Sequence, residues 1–326
     1  MKRFFGLMTM AALVVCLTAS AADSKVVLKL SNVTSQSGID AGKVFREVAE
    51  KESGGSLQIN VFDNNQLGDD RVVVEGTMFG DIDLVVSSTS PVANMFKDFF
   101  AFDAPYLFLS TESAYKALDS EIGQKILADM AQHDLKGLCF WENGFRNFTN
   151  NKVAAKVPDD IINMKIRCME NEIQIAAWRS FGANPTPMAF TEVFTALQQG
   201  TVDGQENPLG IIDGNRFGEV QKYLSMTQHV YTPYFVAMNL EKFESLSDQQ
   251  QQAILTAAAE STVYQRKRSQ ELEGEIIERF GQKGEVLQLT SEEKKQWQDR
   301  ILGAKIHDMV KEKMANPSYF DELMKF

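Results

Sequence analysis

Two arginines and an asparagine carry the strongest chemical signal in this chain. Arg146 lies in Gly144-Phe145-Arg146-Asn147-Phe148-Thr149-Asn150, and Arg167 lies in Met164-Lys165-Ile166-Arg167-Cys168-Met169. Asn207 lies in Asp203-Gly204-Gln205-Glu206-Asn207-Pro208. Arg167 follows Ile166 in an otherwise apolar strand pattern, which suits either an end-of-strand surface charge or a guanidinium held in a cleft. A second arginine at the end of a neighbouring strand-like segment shifts the balance toward the cleft. A planar guanidinium grips a carboxylate through two parallel hydrogen bonds, which Lys cannot do. Asn207 would add an amide donor on a turn stiffened by Pro208.

The same region holds groups that could do acid–base work. Asp203 and Glu206 are three residues apart, and Glu206 with His229 could form a dyad. No nucleophile elbow, phosphate loop or metal cluster accompanies them. Asp203-Gly204 is as well explained as a turn. His133, His229 and His307 stand apart from one another, with no Cys or carboxylate at ligand spacing. These residues therefore offer no metal or cofactor site, and catalysis is not expected of them.

The elements that must position these residues alternate. Residues 25–30 and 57–62 read as strands, residues 39–51 and 69–79 as helices, and residues 82–86 as a third strand. This βαβαβ order requires a mostly parallel sheet covered by helices. Further strands are expected over 137–141, 164–169 and 231–238, and further helices over 111–132, 173–181 and 190–199. The longest helical pattern runs from Ser247 to about Phe280, opened by a Ser247/Gln250 capping box. At 1.5 Å per residue it would extend roughly 50 Å, more than one compact lobe needs, and so predicts a brace across two lobes. A second capping box, Thr290 with Glu293, opens a helix toward Met314. Arg266-Lys267-Arg268 on the long helix reads as a solvated face.

The chain has 326 residues and a net charge of -11, which argues against a nucleic-acid partner. An acidic protein that binds an anion must concentrate positive charge locally, which makes any buried arginine informative. Lys2 and Arg3, an apolar stretch over 4–17 and Ala19-Ser20-Ala21 read as a signal peptide over 1–21. The apolar run is too short to span a bilayer. Cys16 ends a lipoprotein-like box in which Val15 stands where a small residue is wanted. Cys139 and Cys168, in apolar strand-like surroundings, are expected as free thiols.

Several long motifs are similar to those of the substrate-binding proteins of tripartite ATP-independent periplasmic (TRAP) transporters. They include Gly182-Ala183-Asn184-Pro185-Thr186-Pro187-Met188-Ala189-Phe190 and Glu192-Val193-Phe194-Thr195-Ala196-Leu197-Gln198-Gln199-Gly200. Val202 through Leu209, Glu219 through Leu224, Thr227-Gln228-His229 and, earlier, Gln66-Leu67-Gly68-Asp69-Asp70-Arg71 continue the match. The resemblance covers essentially all of the chain after residue 21.

It implies an α/β, two-lobed periplasmic binding protein fold with mixed, mostly parallel sheets and a long helix bridging both lobes. Lobe 1 would comprise 22–149 and about 236–265; lobe 2 would comprise 150–235 and about 266–326. The implied function is capture of an organic acid by lobe closure, and its delivery to a TRAP membrane permease by a monomer in the periplasm. A periplasmic sensor presenting the acid to a receptor kinase is the alternative. The resemblance assigns the principal carboxylate salt bridge to Arg167, an assisting role to Arg146 and an amide contact to Asn207. Phe190 would pack on the ligand body, and positions near Asn32 and Ser88 are expected on the opposite lobe. Glu206 and His229 are read as structural partners of the arginines and hinge. Glu170 and Asn171 could bond ligand hydroxyls, which would favour a sugar acid; for Glu170 the alternative is a solvated carboxylate at a helix N-terminus. Phe145, Trp178, Met188 and Phe190 suit either an apolar ligand or the core. Which acid is bound stays open.

Overall fold

A computed structural model describes residues 25–326 of the chain. The signal-peptide reading and Cys16 lie outside the described residues. The first half opens with β1 (Val26–Ser31), α1 (Gln36–Glu52), β2 (Leu57–Phe62), α2 (Asp70–Met78) and β3 (Leu84–Ser88), close to the alternation expected. Local chemistry sets the helix starts. Ser35 accepts from the Gly38 N–H to cap α1, and Asp69 accepts from the Val72 N–H to cap α2.

The helix expected over 111–132 is divided into α3 (Thr111–Asp119) and α4 (Glu121–Asp129). Ser120 leaves helical geometry and caps the second piece. The strand expected over 137–141 is the start of a much longer one, β4 (Leu135–Asn150). There follow β5 (Lys165–Cys168), α5 (Glu172–Ser180), β6 (Asn184–Pro187), α6 (Val193–Gln198), β7 (Gly204–Pro208) and α7 (Leu209–Gly214). Then come β8 (Tyr223–Asn239), α8 (Leu240–Glu244), α9 (Asp248–Gly281) and β9 (Glu285–Leu287). The chain ends in α10 (Ser291–Gly303), α11 (Ile306–Lys313) and α12 (Pro317–Leu323), where Lys305, at a φ of 54°, divides the single helix expected toward Met314.

The strands pair in the order β2-β1-β3-β8-β4-β7-β5-β6, with β9 added to β8. One parallel patch, β2-β1-β3, lies at one end and another, β7-β5-β6, at the other. Antiparallel β4 and β8 run through both, so hydrogen bonding is continuous from one lobe to the other. Apolar layers cover both faces of this sheet. One face is rich in aromatic side chains, including Phe99, Phe102, Phe140, Phe148, Trp178, Phe181 and Trp297. The other buries Leu28, Leu30, Phe45, Trp141, Ile254 and Phe280 under α1 and α9.

At 34 residues, α9 is long enough, roughly 50 Å, to touch both ends of the sheet. Near its start Gln250 donates to Ser56 Oγ, 3.2 Å away; near its end Arg279 forms a fork with Asp213 at 2.8 and 3.0 Å. Between them Gln265 accepts from the Glu142 N–H at 2.7 Å and donates to the Glu142 carbonyl at 2.8 Å. The brace is thereby fastened to β4 where that strand passes between the two parallel patches. Arg266 does not sit on the expected solvated face. It is buried, forks onto Asp119 and lies over the Tyr115 ring, which ties α9 to α3. Among the described residues no helix is long and apolar enough to cross a membrane. Cys139 and Cys168 are free thiols, both pushed up to about 12 by burial.

Candidate functional site

Parallel strands leave their carboxyl ends facing a crevice where neighbouring connections diverge, and ligands bind there in open α/β sheets. In this chain the ends of β3, β5 and β7, the start of α2 and the segment after β6 surround one cleft of about 590 Å³, part of it open to solvent. Arg146, Arg167, Asn207, Phe190, Ser88 and Glu170 all line it.

Arg167, next to last in β5, is 2% exposed. Its Nε and Nη2 both donate to the Met188 carbonyl, at 3.3 and 2.9 Å, and its guanidinium lies 5.9 Å from the centre of the Phe190 ring. No carboxylate of the described residues pairs with it, and Nη1 is buried without any hydrogen-bond partner. Burial pulls its pKa down to about 10, with Glu206 opposing and Arg146 adding to the shift, so it stays charged at neutral pH. A buried, uncompensated cation is costly unless an anion reaches it.

Arg146 is equally buried but fully engaged. Nε and Nη2 fork onto Glu206 at 2.5 and 2.8 Å, and Nη2 also meets the Glu206 carbonyl at 2.8 Å and Asn207 Oδ1 at 2.9 Å. Glu206 additionally lies 3.2 Å from His229 Nε2, and His229 Nδ1 lies 2.8 Å from Thr227 Oγ1. The pairing register of β4 with β8 slips around Asn147, where β8 inserts residues 226–229. This bulge turns His229 toward Glu206. Burial alone would raise the Glu206 carboxyl, but Arg146 and His229 overcome it and hold the group down at about 2. Glu206 and His229 therefore position Arg146, whereas Arg167 pairs with no carboxylate among the described residues. Asn207 spends one N–H on Gln205 Oε1 at 2.6 Å, and its second amide hydrogen has no acceptor among the described residues.

Asn32 is not brought to the cleft. Its Nδ2 donates to the Gly38 carbonyl at 3.0 Å and to Asp63 Oδ1 at 2.8 Å, and its Oδ1 accepts from the Val33 N–H at 2.9 Å. It fixes the turn into α1, and its neighbours Val33 and Thr34 line the cleft instead. Asn171 is likewise occupied, capping α5 with Oδ1 and donating to the Ser90 carbonyl and Asp103 with Nδ2. Glu170 sits at the cleft rim with Arg71, whose Nη2 donates to the Glu170 carbonyl at 3.1 Å. Trp178 belongs to the core against Phe148, Phe181 and Trp297, and Phe145 packs on Tyr231 away from the cleft.

Sequence reasoning missed Asp70 and Asn143, which also line the cleft. Asp70 falls within the Gln66–Arg71 motif at a helix start, and no local pattern singles out Asn143. Ser88 Oγ and Asn143 Oδ1 share with Arg167 Nη1 the property of being buried without a partner.

Beside the cleft, Gly144 lets β4 change register at a φ of 113°, and a Cβ there would meet Glu142 Oε1 at 3.2 Å. The Glu142 carboxylate accepts from the Tyr115 hydroxyl and from Gln270. Burial nevertheless pushes it up to about 7, with Glu273 adding. A carboxyl raised in the folded state contributes stability that is complete below its ordinary value and is lost as pH rises through the raised one. Global stability is therefore expected to fall between pH 5 and pH 8, by on the order of 3 kcal/mol from this group. Guanidinium denaturation of wild type and Glu142→Gln at both pH values checks this: the variant should lose most of the difference, and equal slopes would refute it.

Comparisons with known proteins agree with this architecture. The family model described as "Bacterial extracellular solute-binding protein, family 7" matches residues 30–312. The chain is 37% identical over 269 residues to the 2,3-diketo-L-gulonate-binding periplasmic protein of Escherichia coli, covering 82% of this chain and 81% of that one. It superposes at a TM-score of 0.88 on the sugar acid binding protein of Advenella mimigardefordensis in complex with galactonate. Identity there is 32%, over 93% of this chain and 97% of that one. A TRAP periplasmic solute-binding protein of a Polaromonas species, bound to D-erythronate, gives a TM-score of 0.86 at 34% identity, covering 92% of this chain and 98% of that one. The chain belongs to family 7 of the bacterial extracellular solute-binding proteins, the substrate-binding proteins of TRAP transporters.

Proposed function

We propose that this protein captures a small organic acid in the periplasm by closing two lobes over it, and delivers it to a TRAP permease in the membrane. The observation that carries this reading is the buried Arg167 guanidinium, which keeps Nη1 free at the end of a parallel strand. A carboxylate brought there loses its hydration, and a charged fork replaces that loss with aimed donors. Arg146, fixed by Glu206, and Asn207 add positive potential and a further donor from β4 and β7. Phe190 offers a ring to the body of the ligand. The relatives bind 2,3-diketo-L-gulonate, galactonate and D-erythronate, which places sugar acids and related hydroxy acids first among the acids to test.

The lobes divide where β4 and β8 pass from one parallel patch to the other, with α9 fastened across the passage by Gln265. Closure is then a bend in two strands and one helix, a hinge motion without a flexible tether. The role is binding without catalysis.

Thermal unfolding of the purified protein in the presence of D-galactonate, D-erythronate, 2-oxo acids and aromatic acids tests the reading. A ligand that binds only the folded state raises Tm by mass action, by about 2.7 kcal/mol of stability at a hundred times its Kd. At least one acid should raise Tm. No rise with any acid, in protein whose cleft is proved empty by mass spectrometry after denaturation, would overturn it.

A further inference from the structure

We infer that Asp70 is a specificity-determining residue that reads ligand hydroxyl groups, so that the bound acid is a hydroxylated monocarboxylate and not a dicarboxylate. This rests on the reading of the cleft as an acid-binding site. The Asp70 carboxylate stands at the start of α2, on the wall contributed by β3. Its Oδ1 accepts two bonds, from Ser87 Oγ at 2.7 Å and from the Ser88 N–H at 3.0 Å, which together lock the orientation of the group. Its Oδ2 has no hydrogen-bond partner among the described residues, and neither Arg71 nor Arg167 forms an ion pair with it.

Two neighbours in the cleft reinforce the pattern. Asn143 Oδ1 and Ser88 Oγ are buried and unpartnered. A carboxylate and an amide carbonyl only accept, and a serine hydroxyl does either. The cleft is thus polarised: surplus donors on Arg167 and Asn207, and an acceptor-only carboxylate on Asp70, with Ser88 and Asn143 able to do either. A ligand that satisfies both needs one carboxylate and, a few bonds away, groups that donate. Alcohols meet that demand as neutral donors. A second carboxylate has no hydrogen to offer and would bring a like charge against Asp70, leaving Asp70 Oδ2 unmatched. Sites that hydrogen-bond a substrate hydroxyl reject analogues lacking it strongly, because their own polar groups are then left unpaired. Glu170 and Asn171, the hydroxyl readers suggested by sequence, are replaced in this role by a residue on the opposite wall.

Titration calorimetry with D-galactonate, hexanoate, succinate and 6-aminohexanoate on wild type, Asp70→Asn and Asp70→Ala tests it. Asparagine keeps the oxygen that holds Ser87 and Ser88, so the apo fold is retained; equal Tm of the ligand-free proteins verifies this. Wild type should bind D-galactonate at least tenfold more tightly than hexanoate or succinate. Both variants should lose tenfold or more for D-galactonate while hexanoate is unchanged, and succinate should bind the variants better than wild type. A loss below threefold for D-galactonate in both variants would overturn the role of Asp70 while leaving acid binding intact. Tightest binding of succinate or of 6-aminohexanoate to wild type would overturn the assignment to hydroxyl groups. Binding of no acid at all would remove the underlying reading as well.

Discussion

Arg167→Ala should weaken binding of the acid by about 2–5 kcal/mol, roughly 30-fold to several thousand-fold. The reason is that the ligand carboxylate is left buried without its partner. The ligand-free variant should behave in the opposite way from an ordinary core truncation. In the empty protein the guanidinium is buried, pairs with no carboxylate and leaves Nη1 without a partner, so its charge opposes folding. Removing it should leave apo Tm unchanged or higher, even though two bonds to the Met188 carbonyl are lost. Calorimetry and thermal unfolding on the same preparations read the two effects separately. A threefold loss or less in affinity would contradict the assignment. So would a large drop in apo Tm accompanied by retained affinity, which would mark Arg167 as a structural residue only.

Glu206→Ala should have the largest effect on folding. It strands Arg146 at 1% exposure with no anion, and breaking a buried pair from one side costs about 3–5 kcal/mol. Replacing both partners by apolar residues, Arg146→Met with Glu206→Leu, should recover a substantial part of that loss, because the uncompensated charge disappears. The Glu206 carboxyl is held below its ordinary value when folded. Its contribution is therefore present above the ordinary carboxylate range and is lost as pH falls toward about 2. Guanidinium denaturation at pH 5 and pH 3, below the range in which the folded-state Glu142 titrates, should show the stability gap between wild type and Glu206→Ala narrowing on acidification. Parallel curves for the two proteins would show that the pair contributes nothing.

The contrast between these two arginines explains what the sequence could and could not reveal. The first βαβαβ segment was legible because Leu57–Phe62 alternates and Ser35 and Asp69 cap the helices around it. The brace was legible because Ser247 and Gln250 form a capping box and no proline interrupts the run. β4 and β8 were read far too short. Their hidden parts carry Glu142, Asn143, Arg146, Asn147, Thr149, Thr227 and His229, polar residues that break the hydrophobic pattern and are nevertheless buried. Their polarity belongs to the cleft and the hinge, where side chains bond one another or wait for a ligand. Ser120 interrupts a helix with neither Gly nor Pro at the break, so the apolar pattern runs through it.

Within the cleft, Arg167, Arg146, Asn207, Phe190, Ser88 and Glu170 were named from sequence and stand together. The resemblance implies that Arg167 is the ligand anchor and Arg146 its assistant; the physical reason, Glu206 lying against Arg146, is a contact between residues sixty positions apart that no local pattern shows. Of the positions near Asn32, Val33 and Thr34 line the cleft, while the Asn32 amide itself is held by Asp63 and the Gly38 carbonyl. Asp70 escaped notice because an acidic residue in the first turn of a helix has an ordinary explanation in the helix dipole.

The most direct test of the central claim is a crystal structure of the mature protein with the acid that raises its Tm most. The account predicts the ligand carboxylate within hydrogen-bond distance of Arg167, with Nη1 as one of the donors, and the Arg146–Glu206 pair unbroken beside it. A carboxylate bound elsewhere, with Arg167 Nη1 still unpartnered in the occupied cleft, would contradict it.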